Sequence, residues 1–256
     1  FGISGSNERS ISVSASNGYG CLISYGGEGD LNGLKDAFLC FLNESNNSIE
    51  INIDYSTYQY QLDELLTWND FTIVLPNNSS LLSDLLVYQN GELLPYLSGN
   101  DGVINTELEV PINIGRNYRN QNYYSGTINN LIFWDTALSQ NEIQSYNLCP
   151  PSGDEEGLVG YWNFNEGEGD SVYDLSGNGN HGVIYGAEFN EDVPESYKGC
   201  TDENALNFDT EALCDNGSCV YGDDEYSAIG LDLDNTNSTL NNVLDTWQSS
   251  IDLTNS

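Results

Sequence analysis

Three groups of residues in this chain have types and spacings suited to chemistry. The first runs from Asp174 to Gly182, Asp-Leu-Ser-Gly-Asn-Gly-Asn-His-Gly, a stretch of oxygen-bearing side chains and glycines. Calcium takes roughly six to eight hard oxygens from carboxylates, amides and carbonyls freed by tight turns. Asp174, Asn178 and Asn180 are therefore candidate ligands, with Asp170 or Asn129 joining from a neighbouring strand. The plain alternative is an Asx-turn without metal. His181, the sole histidine, reads as a turn residue rather than a ligand. The second group, Asp202, Asn207, Asp209 and Asp215, lies between Cys200 and Cys219 and offers a second calcium site. It lacks the alternate-position ligands and late Glu of an EF-hand loop. The third is Ile49-Glu50-Ile51-Asn52-Ile53-Asp54, whose alternation puts Glu50, Asn52 and Asp54 on one strand face. Paired carboxylates can hydrolyse glycosides, but a retaining pair must sit about 5–5.5 Å apart. Four residues along a regular strand span roughly 13 Å. An exposed polar face is the better reading, and no Ser-His-Asp set accompanies it.

Seventeen tyrosines and four tryptophans raise carbohydrate binding, in which flat rings stack on sugars. Tyr55, Tyr58 and Tyr60 read as a loop cluster. Tyr118, Tyr123 and Tyr124, beside Arg116 and Arg119, form the preferred ligand surface. Trp68, Trp134 and Trp162 fall in or beside apolar strands and read as packing.

Composition limits the partners. Forty acidic residues face five basic ones, Arg9, Lys35, Arg116, Arg119 and Lys198. A phosphate backbone would be repelled, which excludes nucleic acid, and an anionic membrane surface is disfavoured for the same reason. No apolar run approaches the roughly 18 residues of a membrane span, so membrane insertion is not expected. The balance suits extracellular, calcium-containing water, where ions relieve self-repulsion. Six cysteines at 21, 40, 149, 200, 214 and 219 include no Cys-x-x-Cys pair, so disulfides and an oxidising compartment are expected. Phe1-Gly2-Ile3-Ser4 reads as the middle of something, hence a piece of a longer protein.

The elements positioning these residues are short alternating runs bounded by Gly, Asn and Asp, the pattern of a sandwich. Strands are expected at 10–15, 21–25, 37–43, 48–54, 71–75, 85–89, 112–116, 131–134, 160–164 and 182–184. Asn90-Gly91 predicts a type I′ hairpin turn. Ser139-Gln140-Asn141-Glu142 is a capping box that starts a helix, which Cys149-Pro150-Pro151 stops. Beyond Gly222, Leu240, Leu244, Trp247 and Ile251 have the spacing of an amphipathic helix.

Tyr124-Ser-Gly-Thr-Ile-Asn-Asn-Leu-Ile-Phe-Trp134, followed by Ala137-Leu138-Ser139 and Glu142-Ile143, resembles the C-terminal strand and helix of LamG-like jelly-roll domains of the concanavalin A-like superfamily. Gly157-Leu-Val-Gly-Tyr-Trp-Asn-Phe164, Asp174–Gly182, Trp68 and Tyr88-Gln-Asn-Gly91 resemble the same family. Where the family has Ile-Asp-Asp, this chain has Ile128-Asn129-Asn130, which weakens or moves a calcium site there. Gly157–Phe164 resembles an opening strand placed late, and completion of the sandwich is favoured over a second truncated copy. Gly199-Cys200-Thr-Asp202, Ala205–Asp209 and Asp215–Cys219 resemble a short cysteine-bracketed repeat of secreted surface proteins of marine Bacteroidetes.

The resemblance implies an all-β, two-sheet antiparallel jelly-roll sandwich over residues 1–197. A disulfide-stapled, calcium-binding-type appendage is expected over 198–222, then an acidic linker and helix over 223–256. The repeat implies a Cys200–Cys219 bridge. Consecutive antiparallel strands make Cys21–Cys40 plausible, and Cys149–Cys214 is left by elimination. The expected role is an extracellular, calcium-stabilised, non-catalytic module that binds a polysaccharide or glycoprotein glycan, or contacts neighbouring domains or copies of itself. The alternatives are a structural spacer and a laminarinase-like glycoside hydrolase.

Overall fold

In Arg9-Ser-Ile-Ser-Val-Ser-Ala-Ser16 serine alternates with Ile11, Val13 and Ala15, and this simple pattern builds a central strand of the structure. The computed structural model describes residues 8–25, 38–43, 45–53, 56–64, 66–104, 112–117, 121–191, 193–194 and 198–221. It divides into two units, Phe1–Glu195 and Ser196–Ser256. In chain order the first strands are β1 (Arg9–Ser16), β2 (Gly20–Tyr25), β3 (Phe38–Asn43), β4 (Ser48–Ile53), β5 (Ser56–Gln61) and β6 (Trp68–Leu75). There follow β7 (Leu86–Gln89), β8 (Glu92–Leu93), β9 (Tyr96–Gly99), β10 (Ile112–Ile114) and β11 (Ile128–Trp134). Helix α1 (Gln140–Leu148), β12 (Leu158–Trp162), β13 (Ser171–Val172) and β14 (Gly182–Val183) complete the first unit.

Two six-stranded antiparallel sheets result. The first has the order β12-β11-β1-β6-β7-β8 and the second β10-β2-β3-β4-β5-β9. Ile11, Val13, Ala15, Phe71, Ile73, Leu131 and Phe133 of the first sheet share one core with Ile23, Ile49, Ile51 and Ile53 of the second. Each of the Ile, Val, Leu and Phe side chains, fully buried, contributes about 1.5–3 kcal/mol. This is the expected all-β jelly-roll sandwich. The late Gly-Leu-Val-Gly-Tyr-Trp segment pairs as β12 on the edge of β11, so it completes the first sheet.

The serines of β1 face away from that core. Ser10 Oγ donates to the Thr136 carbonyl at 2.9 Å and accepts from Leu138 N at 2.9 Å. Ser12 shares a 2.9 Å hydrogen bond with Thr72, and Ser16 Oγ accepts from Thr127 N at 2.7 Å. On the same side α1 covers a second, smaller apolar cluster of Val74, Tyr88, Ile132, Trp134, Leu138 and Ile143. Its start is the expected capping box: Ser139 accepts from Glu142 N, and Glu142 Oε2 accepts from Ser139 N at 2.7 Å. The Asn90-Gly91 turn has positive φ at both positions, as a type I′ turn requires. Gly91 also lies under the helix, since a Cβ there would meet Gln144 Cγ at 2.6 Å.

Two expectations are corrected. Tyr58 and Tyr60 are not in a loop but in β5, where Tyr60 pairs with Ile49 and Tyr58 with Ile51. Directly paired residues point to one side of a sheet, so both rings face the core side, and Tyr60 Oη donates to the Leu85 carbonyl at 2.8 Å. Cys21 and Cys40 are buried free thiols rather than a bridge. A register shift between Cys21 and Ile23 sets Cys21 opposite Phe41 and Cys40 opposite Ile23, so the two are never partners across the strand pair.

In the second unit, β15 (Lys198–Gly199) and β16 (Cys214–Asp215) form a two-residue parallel pair. Cys200–Cys219 is a disulfide, and Cys149 and Cys214 are likewise disulfide-bonded. Tyr55, Asp54 and the expected helix around Leu240 lie outside the described residues. No helix among the described residues is long and apolar enough to cross a membrane.

Candidate functional site

The outer face of the second sheet carries a connected polar surface. Ile49, Ile51 and Ile53 are at most 1% exposed, so the intervening Glu50 and Asn52 of β4 point away from the core. Cross-strand register then places Phe41 of β3 and Gln59 of β5 beside Glu50, and Thr57 beside Asn52. Ser98 of β9 stands opposite Gln59. One row therefore runs Phe41, Glu50, Gln59, Ser98 across four strands, about 14 Å at the usual strand spacing.

The hydrogen bonds within this row leave two polar atoms without a partner among the described residues. Glu50 Oε1 accepts from Asn43 Nδ2 and from Gln59 Nε2, both at 2.7 Å. Gln59 Oε1 in turn accepts from Ser98 Oγ at 2.6 Å. Thr57 Oγ1 donates to Asn52 Oδ1. Among the described residues Glu50 Oε2 has no donor and Asn52 Nδ2 no acceptor. A strong acceptor and an amide donor are thus held by their neighbours, two residues apart on one strand, with the half-buried Phe41 ring beside them. The side chains bonded to Glu50 are both amides, not carboxylates. A carboxylate held in this way can accept hydrogen bonds from hydroxyls. The alternation of β4 was the sequence signal for this face, whereas Asn43, Gln59 and Ser98 had none.

The expected ligand loop lies at the edge of the same sheet. Cys21 N donates to the Asn122 carbonyl at 2.9 Å, and Tyr123 bridges Cys21. Tyr123 is 60% exposed and remains available. Arg116 follows β10, its guanidinium 5.5 Å from the Tyr185 ring centre. Tyr124 is a packing residue: its Oη donates to the Ser16 carbonyl and its ring fills the space over Gly18 and Gly126. Burial pushes its phenol pKa up. Tyr118 and Arg119 lie outside the described residues.

The Asp174 turn has the hydrogen-bond geometry of the Asx-turn alternative. Asp174 Oδ1 accepts from Tyr161 N at 3.0 Å, Ser176 N at 2.9 Å and Ser176 Oγ at 2.7 Å. Oδ2 accepts from Asn180 N at 2.9 Å. Despite burial, these donors hold the carboxyl below the usual carboxylate range. Asn178 Nδ2 donates to the Leu158 and Val159 carbonyls, and Asn180 Nδ2 to Val159. The Asn180 carbonyl accepts from Trp162 Nε1 at 3.0 Å. His181 Nδ1 accepts from Asp174 N at 3.1 Å, which makes it the turn residue expected. Asp170 is exposed and accepts from Ser171 Oγ, while Asn129 sits in β11.

In the second unit the acidic residues are spread over separate turns. Asp202, Asp209 and Asp215 each accept from the backbone amide two residues on, at Asn204, Glu211 and Gly217. Asn207 instead clamps the segment around Cys219, donating to the Ser218 carbonyl and accepting from Val220 N, both at 2.7 Å. No group of three His, Cys, Asp or Glu side chains suited to a metal occurs among the described residues.

Residues 6–144 match the family described as Concanavalin A-like lectin/glucanases superfamily. The chain belongs to this superfamily. The concanavalin A-like fold also appears in a solved structure of a candidate carbohydrate binding protein from Bacteroides ovatus. That likeness has a TM-score of 0.50 and 16% identity, over 68% of this chain and 51% of that one. The chain thus spans about half the length of that protein. The carbohydrate-binding module CBM40 of a Ruminococcus gnavus IT-sialidase is similar over 54% of this chain and 82% of its own, at 14% identity and TM-score 0.41. It has also been solved bound to α2,3-sialyllactose. No curated protein sequence matches the chain. The superfamily fold is shared by binding modules and hydrolases, so the residues on the sheet face carry the functional argument.

Proposed function

We propose that this chain is a non-catalytic glycan-binding module of a larger secreted or cell-surface protein, with the outer face of the second sheet as its binding surface. The observation that carries the reading is the Asn43–Glu50–Gln59–Ser98 network with the Thr57–Asn52 bond beside it, which holds these side chains while, among the described residues, Glu50 Oε2 and Asn52 Nδ2 have no partner. Pre-set polar groups of this kind lose little rotamer freedom on binding. The lectin-like fold and the carbohydrate-binding proteins it resembles support the same reading, as do acidic composition and disulfides for an extracellular setting. The proposal assigns no calcium to Asp174, whose oxygens serve N–H and O–H donors.

Glycan-array screening followed by calorimetry on the best ligand tests this. Glu50→Gln keeps the shape and the two amide bonds but replaces the open acceptor with a donor; Asn52→Ala removes the open donor. Each is expected to weaken binding five- to twentyfold, in line with about 1–2 kcal/mol for a hydrogen bond to a charged or amide group. Retention of no glycan would instead support a spacer role. Turnover of a β-glucan that disappears in Glu50→Gln would establish catalysis.

A further inference from the structure

The six strands of the second sheet contain one carboxylate, Glu50, and no Lys, Arg or His. None of the described cations lies within these strands, although Arg116 follows β10 at the sheet edge. Arg9 belongs to β1 of the other sheet and donates to the Glu8 and Asp135 carbonyls. Arg116 sits over Tyr185, and Lys198 lies in the second unit. The whole chain carries a formal charge of −35.

From this we infer that the face selects uncharged glycans and rejects those bearing carboxylate, sulfate or sialic acid; the inference rests on the glycan-binding reading above. Two effects of different range act together. At long range the net charge repels any polyanion, over about 10 Å in 0.1 M salt and further in dilute buffer. At contact, Glu50 Oε2 accepts only, so its partner must donate. A sugar hydroxyl donates to Glu50 and another accepts from Asn52 Nδ2, whereas a carboxylate or sulfate oxygen has no proton to give. Against Glu50 an anionic group leaves two acceptors face to face, the kind of mismatch by which a site rejects a close analogue. The row spans about 14 Å, enough for several sugar units of a linear chain rather than one terminal residue.

The test is a matched panel: neutral glucans, mannans, xylans and galactans against polyuronates, sulfated polysaccharides and sialyllactose. Binding is measured by calorimetry on the whole chain in 20 mM and 500 mM NaCl. At the higher salt long-range repulsion is screened and only the contact mismatch remains. At least one neutral glycan is expected to bind with less than a twofold change in Kd between the two salts, and to lose at least fivefold in Glu50→Gln. Every anionic glycan is expected to bind at least tenfold more weakly at both salts. An anionic ligand bound as well as the best neutral one would overturn the selectivity and leave the glycan-binding reading standing. Neutral binding unaffected by Glu50→Gln would overturn the assignment to this face. Binding of no glycan would sink both.

Discussion

The backbone amide of Tyr161, in the last strand of the first sheet, donates to Asp174 Oδ1 at 3.0 Å. Thirteen residues of chain are closed into a loop by that bond, and the same carboxylate also orders Ser176 and Asn180. Asp174→Asn keeps one acceptor oxygen and replaces the other with a donor facing Asn180 N. It is expected to cost about 1–3 kcal/mol, a fall of about 4–8 °C in Tm for roughly 2 kcal/mol in a domain of this size. The fall should be equal with calcium and with chelator. A loss confined to calcium-containing buffer would show that the carboxylate ligates metal.

Because its hydrogen bonds hold the Asp174 carboxyl below the usual range, its stabilisation is present above an unfolded pKa near 3.8 and is lost as pH falls through the lower folded value. Asp70 has the opposite sign. It lines a cleft between the first sheet and the end of α1, with Ser12, Ser14, Asn130 and Tyr146. Burial raises its pKa, against a hydrogen bond from Ser14. Its folded form holds the proton more tightly, so it contributes stability at low pH that is lost as pH rises through the folded value. Asp70→Asn is therefore expected to raise Tm at pH 7 relative to the wild type, with the gap closing toward pH 4. A gap that widens on acidification would reverse the assignment.

Tyr124 and the two glycines beneath its ring form a packing unit at the sheet edge. Tyr124→Phe should cost about 1 kcal/mol for the lost hydrogen bond to Ser16. Gly126→Ala should cost about 1–3 kcal/mol, because its Cβ would approach Tyr124 Cε1 to 2.7 Å. Chemical denaturation measures both. Neither change should alter glycan affinity by more than about twofold, since neither touches the outer face of β4 or β5; a larger effect would move the binding surface to this edge.

Cys21 and Cys40 are both buried, which pushes the Cys21 thiol up to about 12 and raises Cys40 as well. Thiolate, the reactive form, is scarce at pH 8 in such surroundings. Iodoacetamide on the native protein without reductant is expected to label neither cysteine, and after unfolding both. Mass spectrometry showing no labelling even when unfolded would restore the bridge between them.

What could be read from the sequence was what local physics decides. Ser139 and Glu142 are three residues apart and cap the same turn, and Asn90-Gly91 needs only its own φ angles. The apolar alternation of β1, β4 and β6 likewise sufficed to find those strands and predict a sandwich. Relationships set by register were hidden. Phe41, Glu50, Gln59 and Ser98 become neighbours only once three strand pairings are fixed, and no residue type announces them. The shift between Cys21 and Ile23 had no sequence mark either, so adjacent strands suggested a bridge that does not form. In β5 the tyrosines were weighed as polar loop residues, although Thr57, Gln59 and Gln61 alternate with them as a strand requires.

The strand described first, β1, gains its second partner late. Its partners are β6 and β11, and Ser10 bonds to residues 126 and 128 positions further on. At ribosomal speeds of about 5–20 residues per second, roughly ten seconds separate the synthesis of Arg9 from that of Leu138. Until β11 is made, the β1 segment keeps an unmatched edge beside its apolar side, the condition in which chains pair wrongly with one another. Its four serines make the opposite side hydrophilic in the meantime, so the residues that later knit β1 to its neighbours also keep that side from presenting a second apolar surface.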